Sequence, residues 1–216
     1  MFAKHYASYY EAINHGKPYK KEIQMVHRWA KTPLSVFDIG CGTANYWGFF
    51  PKSCFVSGVE KSRAMWEASK YKERIIQADI SNIINLKFKR KYDCATALFD
   101  VINYIPVHNW WERLPIKKGG YFIFDIWDKA KVDREGFRET LKRKDAISRR
   151  IIPSNYDGKT VDLRVEVRDG DITFSEEHRM YVYSHKEIEK FCGDDFEIVE
   201  VKPTAGWQCW YKLRKS

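Results

Sequence analysis

The sequence predicts an α/β fold: a mostly parallel sheet of seven strands with helices on both faces, and a small antiparallel β insertion after the fifth strand. Three observations carry that expectation. Short apolar runs alternate with helix-compatible stretches over the first 128 residues, the pattern of right-handed strand–helix–strand units. The first of these runs, Val36-Phe37-Asp38-Ile39, leads into a glycine turn, Gly40-Cys41-Gly42. Without Cβ atoms such a turn lets a ligand approach the backbone at the carboxyl end of a strand. Further on, the pairs Asp157-Gly158 and Asp169-Gly170 separate strand-like runs, which is a strong hairpin signal.

Residues 1–31 precede the first strand. Ile23, Met25, Val26 and Trp29 predict a helix packed on the sheet, stopped by Thr32-Pro33. After the glycine turn, residues 44–50 read as a helix ending near Pro51, and 54–59 as a second apolar strand that closes on Glu60. Ser62 is placed to cap a helix reaching Lys70. Residues 74–77 give a third strand with Asp79 just beyond it. Residues 92–98 give a fourth, followed by a loop over 99–104. Trp110 and Trp111 belong to a covering helix and read as packing residues. A turn at 117–120 leads into the fifth strand at 121–126.

From residue 129 the texture changes. Residues 131–144 are polar and helix-compatible. Three antiparallel strands follow, at 147–152, 160–168 and 172–183, so the insertion spans 145–183. A helix at 184–191 and two closing strands, 196–201 and 207–213 with Gly206 at their turn, complete a single domain over residues 1–216.

Composition narrows the class. The 44% of hydrophobic residues can supply a full core, and no apolar run approaches the roughly 20 residues of a membrane helix. Residues 1–6 carry no secretory apolar core. The cysteines at 41, 54, 94, 192 and 209 form no C-x-x-C pair, and the six histidines are scattered. Neither pattern fits a metal site or a disulfide framework, and a reducing cytoplasm is expected. The net charge of +9 is spread thinly, with short interrupted clusters at 87–91 and 142–144 and no arginine–aromatic alternation. That texture argues against nucleic acid and for solvated faces, and it would also suit an anionic small molecule.

Chemistry concentrates at the glycine turn. Glu60 lies twenty residues after Gly40, a spacing at which an acid can accept both hydroxyls of a ribose. The third glycine of the dinucleotide fingerprint is replaced by Asn45, which favours a nucleoside ligand without phosphates.

On these residues the chain resembles the class I S-adenosylmethionine (SAM)-dependent methyltransferases. Five motifs recur in order: DIGCGTA from Asp38, GVEKS from Gly58, QADI from Gln77, YDCATALFDVINYI from Tyr92 and KGGYFIFDIWD from Lys118. The resemblance implies a Rossmann-like seven-stranded methyltransferase sheet and SAM as cofactor, with no metal. It places Gly40, Cys41 and Gly42 beside the methionine part, Glu60 with Lys61 at the ribose, Asp79 with Ile80 around the adenine, and Phe99 over the ligand. Residues 9–19 resemble the lid of small-molecule N-methyltransferases, in which a tyrosine pair and a G-K-x-Y element close over SAM. This adds Tyr10 and Tyr19 to the cofactor contacts.

The stretch from Phe174 to Ser184 resembles the E-x-H-R element of amino-sugar N,N-dimethyltransferases acting on nucleotide-linked sugars. Where those enzymes carry an arginine-bearing glycine turn near the C-terminus, this chain has Thr204-Ala205-Gly206-Trp207. Methyl transfer from a sulfonium is an in-line displacement, so the enzyme's task is to position a neutral nucleophile. Tyr10, Tyr104 and His178 are the catalytic candidates, with Asn103 beside Tyr104 and Asp100 as an alternative acceptor. The sequence therefore predicts methylation of a small-molecule amine, an amino sugar or similar metabolite. O-methylation, an RNA methyltransferase and a non-catalytic SAM-fold partner subunit stand as alternatives. A homodimer is compatible with the sequence, and nothing in it fixes the acceptor atom.

Overall fold

The computed structural model of the chain describes residues 4–14, 16–106, 109–137 and 139–216. Residues 1–3 and His15, part of the segment read as a lid, and Arg138, inside the stretch read as helix-compatible, lie outside the described residues. Two helices, α1 (Lys4–Ile13) and α2 (Tyr19–Trp29), precede the sheet. Strands β1 (Ser35–Ile39), β2 (Phe55–Glu60), β3 (Ile75–Gln77), β4 (Tyr92–Ala97) and β5 (Ile116–Trp127) follow, with helix α3 (Arg63–Ala68) after β2. Then come α4 (Lys129–Glu135), strands β6 (Thr140–Lys144), β7 (Ile147–Ser154), β8 (Thr160–Asp169) and β9 (Ile172–Tyr181), and helix α5 (His185–Cys192). Strands β10 (Phe196–Pro203) and β11 (Gln208–Lys215) close the chain.

The seven-stranded sheet has the order β10-β11-β5-β4-β1-β2-β3. Strands β1 to β5 run parallel, and β11 is antiparallel to both neighbours. All five residues of β1 are buried, as expected of a central parallel strand covered on both faces. Val36 faces Ile23, Val26 and Trp29 of α2, while Phe37 and Ile39 face a cluster with Trp111, Phe122 and Phe124. After β3 the chain returns to β4 on the other side of β1. The carboxyl ends of β1 and β4 therefore flank the switch point, where open α/β sheets hold ligands.

The second sheet has the order β6-β7-β8-β9, joined at the two Asp-Gly hairpins. The sequence leads one to expect three strands from residue 145; the structure has four, beginning at Thr140. Helix α4 stops at Gly136, whose φ of +66° cannot continue a helix. Thr140 to Lys144 then pairs with β7 in unbroken register. Its sequence, TLKRK, lacks apolar alternation because Leu141 is exposed, so neighbours rather than patterning make it a strand. Two other expectations change. Residues 44–50 form only a short 3-10 helix, Asn45–Phe49, entered through Ala44 in the left-handed region at φ +63°. The turn at 117–120 is absorbed into β5 as an irregularity: β4 pairs Tyr92 with Ile116 and then Cys94 with Tyr121.

The elements around the switch point are tied together by polar contacts. Asn103 is fully buried. Its amide donates to the Tyr181 carbonyl of β9 at 2.6 Å and accepts from the Trp127 N–H of β5 at 3.3 Å. Helix α1 touches α3 on one side and β6 and β7 on the other, packing Tyr6 and Ile13 against Val165 and Val167. The Tyr9 hydroxyl donates to Asp169 at 2.9 Å.

Candidate functional site

At the end of β1, Gly40 and Gly42 both take positive φ, +61° and +56°. A Cβ on Gly40 would lie 2.7 Å from a Val101 methyl, so the approach of the β4 loop requires the glycine. The Gly42 N–H donates to Glu60 Oε2 at 2.8 Å, and the Ser62 N–H to Oε1 at 2.6 Å. An acid at the end of β2 thereby fastens the turn that follows β1. Each of its oxygens retains acceptor capacity. Desolvation pushes the Glu60 pKa up, and the backbone N–H bonds restrain that rise. One strand inward, Asp38 is buried and accepts from Trp47 Nε1 at 2.8 Å and Thr96 Oγ1 at 2.7 Å. Burial pushes its carboxyl up to about 6 against those two bonds.

Asp79 caps the turn after β3, accepting from the Ser81 N–H at 2.9 Å and from Lys61 Nζ at 2.7 Å. Burial would raise its pKa, but the Lys61 and Ser81 bonds outweigh it and hold the carboxyl below its ordinary value. Ile80 is buried beside it. Lys61 thus stands as the partner of Asp79 at the rim.

The β4 loop is held by residues that the sequence did not single out. Phe99 and Asp100 have φ of +70° and +61°, a conformation that costs bulky residues roughly 1 kcal/mol or more each. Their N–H groups both donate to Asp125, at 2.7 and 3.1 Å. Gln208 Nε2 then bridges the two carboxylates, 3.2 Å from Asp100 and 3.0 Å from Asp125. Burial, and next the Asp100 charge, push the Asp125 pKa well up, while Lys17 opposes them. Lys17 Nζ sits 3.2 Å from the Phe99 ring centroid and 3.8 Å from Glu22, and burial pulls its pKa down. Asp125 and Gln208 lie inside apolar strands, where no spacing rule marks them. The G-K-x-Y element contained Lys17 without giving it a task.

One cavity of about 720 Å³ runs from the glycine turn to the inserted sheet. At the near end are Gly40, Gly42, Glu60, Lys61, Asp79, Ile80 and Phe99. At the far end, Tyr104 and His178 meet edge to face with ring centroids 5.7 Å apart, and Tyr6 meets the same imidazole at 6.4 Å. His178 Nε2 is 3.4 Å from Glu176 Oε2, and both side chains are buried. Tyr104 is 37% exposed, yet desolvation still raises its phenol pKa.

Tyr10 lines both this cavity and a hollow of about 20 Å³ behind the glycine turn. Burial, and then the neighbouring phenols, push its pKa well up. Tyr19 and Cys41 reach only the small hollow. Tyr19 packs edge to face on Tyr46 at 4.9 Å. The structure therefore brings eleven of the expected site residues, Asp100 among them, to one cavity, while Tyr19 and Cys41 line only the small hollow. Asn103 braces the backbone instead of facing the cavity.

Among the described residues, no group of three or more His, Cys, Asp or Glu side chains is placed to hold a metal ion, and no helix is long and apolar enough to cross a membrane.

No family model and no curated protein matches the chain. Solved structures do. A SAM-dependent methyltransferase from Clostridium acetobutylicum superposes with a TM-score of 0.75 at 22% identity, over 98% of this chain and 96% of that one. DesVI of Streptomyces venezuelae superposes with a TM-score of 0.79 at 15% identity, over 100% of both chains. CalS10 from Micromonospora echinaspora, an amino pentose methyltransferase determined with SAM bound, gives 0.73 at 17% identity, over 100% of this chain and 98% of that one. The chain has the fold of the SAM-dependent methyltransferases.

Proposed function

We propose that the chain is a SAM-dependent methyltransferase whose acceptor is a small polar molecule, first of all the amine of an amino sugar or similar metabolite. The observation that carries this reading is the single cavity joining the Glu60 end of the parallel sheet to Tyr104 and His178. A cofactor and an acceptor can meet there out of water. The naming of CalS10 as an amino pentose methyltransferase and of KedS8, another structural neighbour, as a sugar N-methyltransferase supports the amine.

The residues present fit SAM. Gly40 and Gly42 leave the backbone of the turn without Cβ atoms on the cavity wall, and the buried Glu60 carboxylate keeps acceptor capacity on both oxygens. Glu60 would take the ribose hydroxyls, with Lys61 beside it. Asp79 and Ile80 would flank the adenine, and Gly40 and Gly42 the methionine part, backed by Cys41. Phe99 and Tyr10 would cover the sulfur end, with Tyr19 supporting them from behind. Residues 1–31 would act as the lid and its helix. Bound SAM supplies an electrophilic methyl group on a sulfonium.

The chain's own part is to present a nucleophile and take its proton. Tyr104 stays neutral because its pKa is raised, so its hydroxyl can donate to or accept from an acceptor amine and orient it. His178, backed by Glu176, would receive the proton released on methylation. The test is a turnover screen of nucleotide-linked amino sugars, other amines, phenols and RNA, with product masses recorded and binding of the demethylated cofactor measured by calorimetry. Methylated amines are expected. Absence of cofactor binding, or methylated RNA alongside inert small amines, would overturn the reading.

A further inference from the structure

The far end of the cavity holds two cations that the reaction outlined above does not use. Lys142 on β6 and Arg149 on β7 are directly opposite each other in the antiparallel register, so both side chains stand on one face of the inserted sheet, and both line the cavity. Like charges directly opposite across two strands destabilise a sheet unless something compensates. Arg149 is only 6% exposed. Its Nη1 donates to the neutral Asn14 Oδ1 at 2.9 Å, the neutral Tyr6 hydroxyl is hydrogen-bonded to the same guanidinium, and its Nε has no hydrogen-bond partner among the described residues. No carboxylate of those residues lies within ion-pair distance of it. The contrast with Arg179 is plain: that guanidinium, also on the lining, is bound bidentately to Asp162 at 2.8 and 3.1 Å. Lys142 has its pKa lowered, first by desolvation and then by the Arg149 charge.

A buried guanidinium without a counter-ion is costly. Its unpaired Nε–H is a charged donor of the kind that planar or tetrahedral oxyanions accept. We propose that Arg149 and Lys142 form an oxyanion site that anchors a carboxylate or phosphate carried by the acceptor, so that the substrate is an anionic amine. This rests on the methyltransferase reading, since it makes the far end of the cavity the acceptor's compartment. The site is built on the inserted sheet, so β6 and β7 supply the anion partner that the 204–207 turn lacks.

The experiment titrates inorganic phosphate and acetate into the full chain by calorimetry at fixed ionic strength, with the demethylated cofactor as a parallel ligand. Wild-type protein is expected to bind one of the two anions, and Arg149→Gln and Lys142→Gln are each expected to weaken it at least tenfold. Arg149→Lys should recover only part of the loss, because it restores charge without the fork. Arg149 also holds Asn14, just past α1, so unfolding of its variants is anticipated; Lys142→Gln removes a charge from an exposed side chain and keeps the test decisive. Unchanged cofactor binding in that variant certifies the fold. Phosphate binding more tightly than acetate assigns a phosphorylated acceptor, and the reverse a carboxylic acid. Anion binding that is absent, or indifferent to Lys142→Gln, in a protein that still binds the cofactor would overturn the site and leave the methyltransferase reading standing. Anion binding without cofactor binding would overturn its assignment to an acceptor.

Discussion

Glu60 does its work through four acceptor positions, of which Gly42 and Ser62 take two by backbone N–H. Glu60→Ala should therefore weaken cofactor binding by about 100-fold or more, since two charge-assisted hydrogen bonds are worth roughly 1.5–3 kcal/mol each; calorimetry reads the loss directly. Tyr104→Phe and His178→Ala act at the other end of the cavity. They should lower turnover far more than they weaken cofactor affinity, and steady-state kinetics paired with binding measurements would separate the two. Asp38 makes a prediction about pH. Its folded value, about 6, stands above the ordinary 3.8, so the fold favours the protonated carboxyl. The contribution to stability is complete below about pH 4 and is lost as pH rises through 6, a difference of roughly 3 kcal/mol. Asp38→Asn can keep the Trp47 and Thr96 bonds with an amide. Urea midpoints should then fall less between pH 5 and 7.5 in the variant than in the wild type; identical pH slopes would show that Asp38 does not titrate this way.

Two elements decide whether the cavity is closed, and both are held by a few polar contacts. Helix α1 and the Asn14 that follows it reach the inserted sheet through Tyr9–Asp169, Tyr6–Arg149 and Asn14–Arg149 and through a small apolar cluster. Such an element opens at low cost. If residues 6–14 belong to a lid, their amide exchange should slow severalfold when the demethylated cofactor is added; equal exchange with and without it would make α1 a fixed wall. The loop after β4 is different, because Asn103 pins it to β5 and β9 at once. Asn103→Ala would leave a half-buried N–H on Trp127 and a half-buried carbonyl on Tyr181 without this partner, each costing up to about 1–3 kcal/mol. Denaturant unfolding should report a loss of roughly 2–5 kcal/mol.

Across the whole molecule, the two sheets share one cavity, with α1 and the β4 loop bridging them. If the chain is one cooperative unit, calorimetric unfolding should show a single transition. Cofactor product at about 100 times its dissociation constant should then raise the midpoint by roughly 5–11 °C, corresponding to about 2.7 kcal/mol. Two transitions, only one of them ligand-sensitive, would make the inserted sheet a separate unit.

The division between sequence and tertiary structure follows the range of the forces involved. Strands β1, β2 and β4, the two Asp-Gly hairpins, the Ser62 cap, the glycine turn and Glu60 are legible in the sequence. Each depends on a local conformational demand or on a short, regular spacing. Strand β6, the irregular start of β5 and the second set of site residues are not. β6 is a strand only because β7 offers it hydrogen bonds. Asp125 and Gln208 acquire meaning when β11 pairs with β5 and brings residue 208 to the loop at residue 100. Arg149 and Lys142 look like ordinary surface charge in the chain. Folding the inserted sheet over the carboxyl ends of β1 and β4 turns them inward, because antiparallel register, which no single segment encodes, decides which side chains share a face.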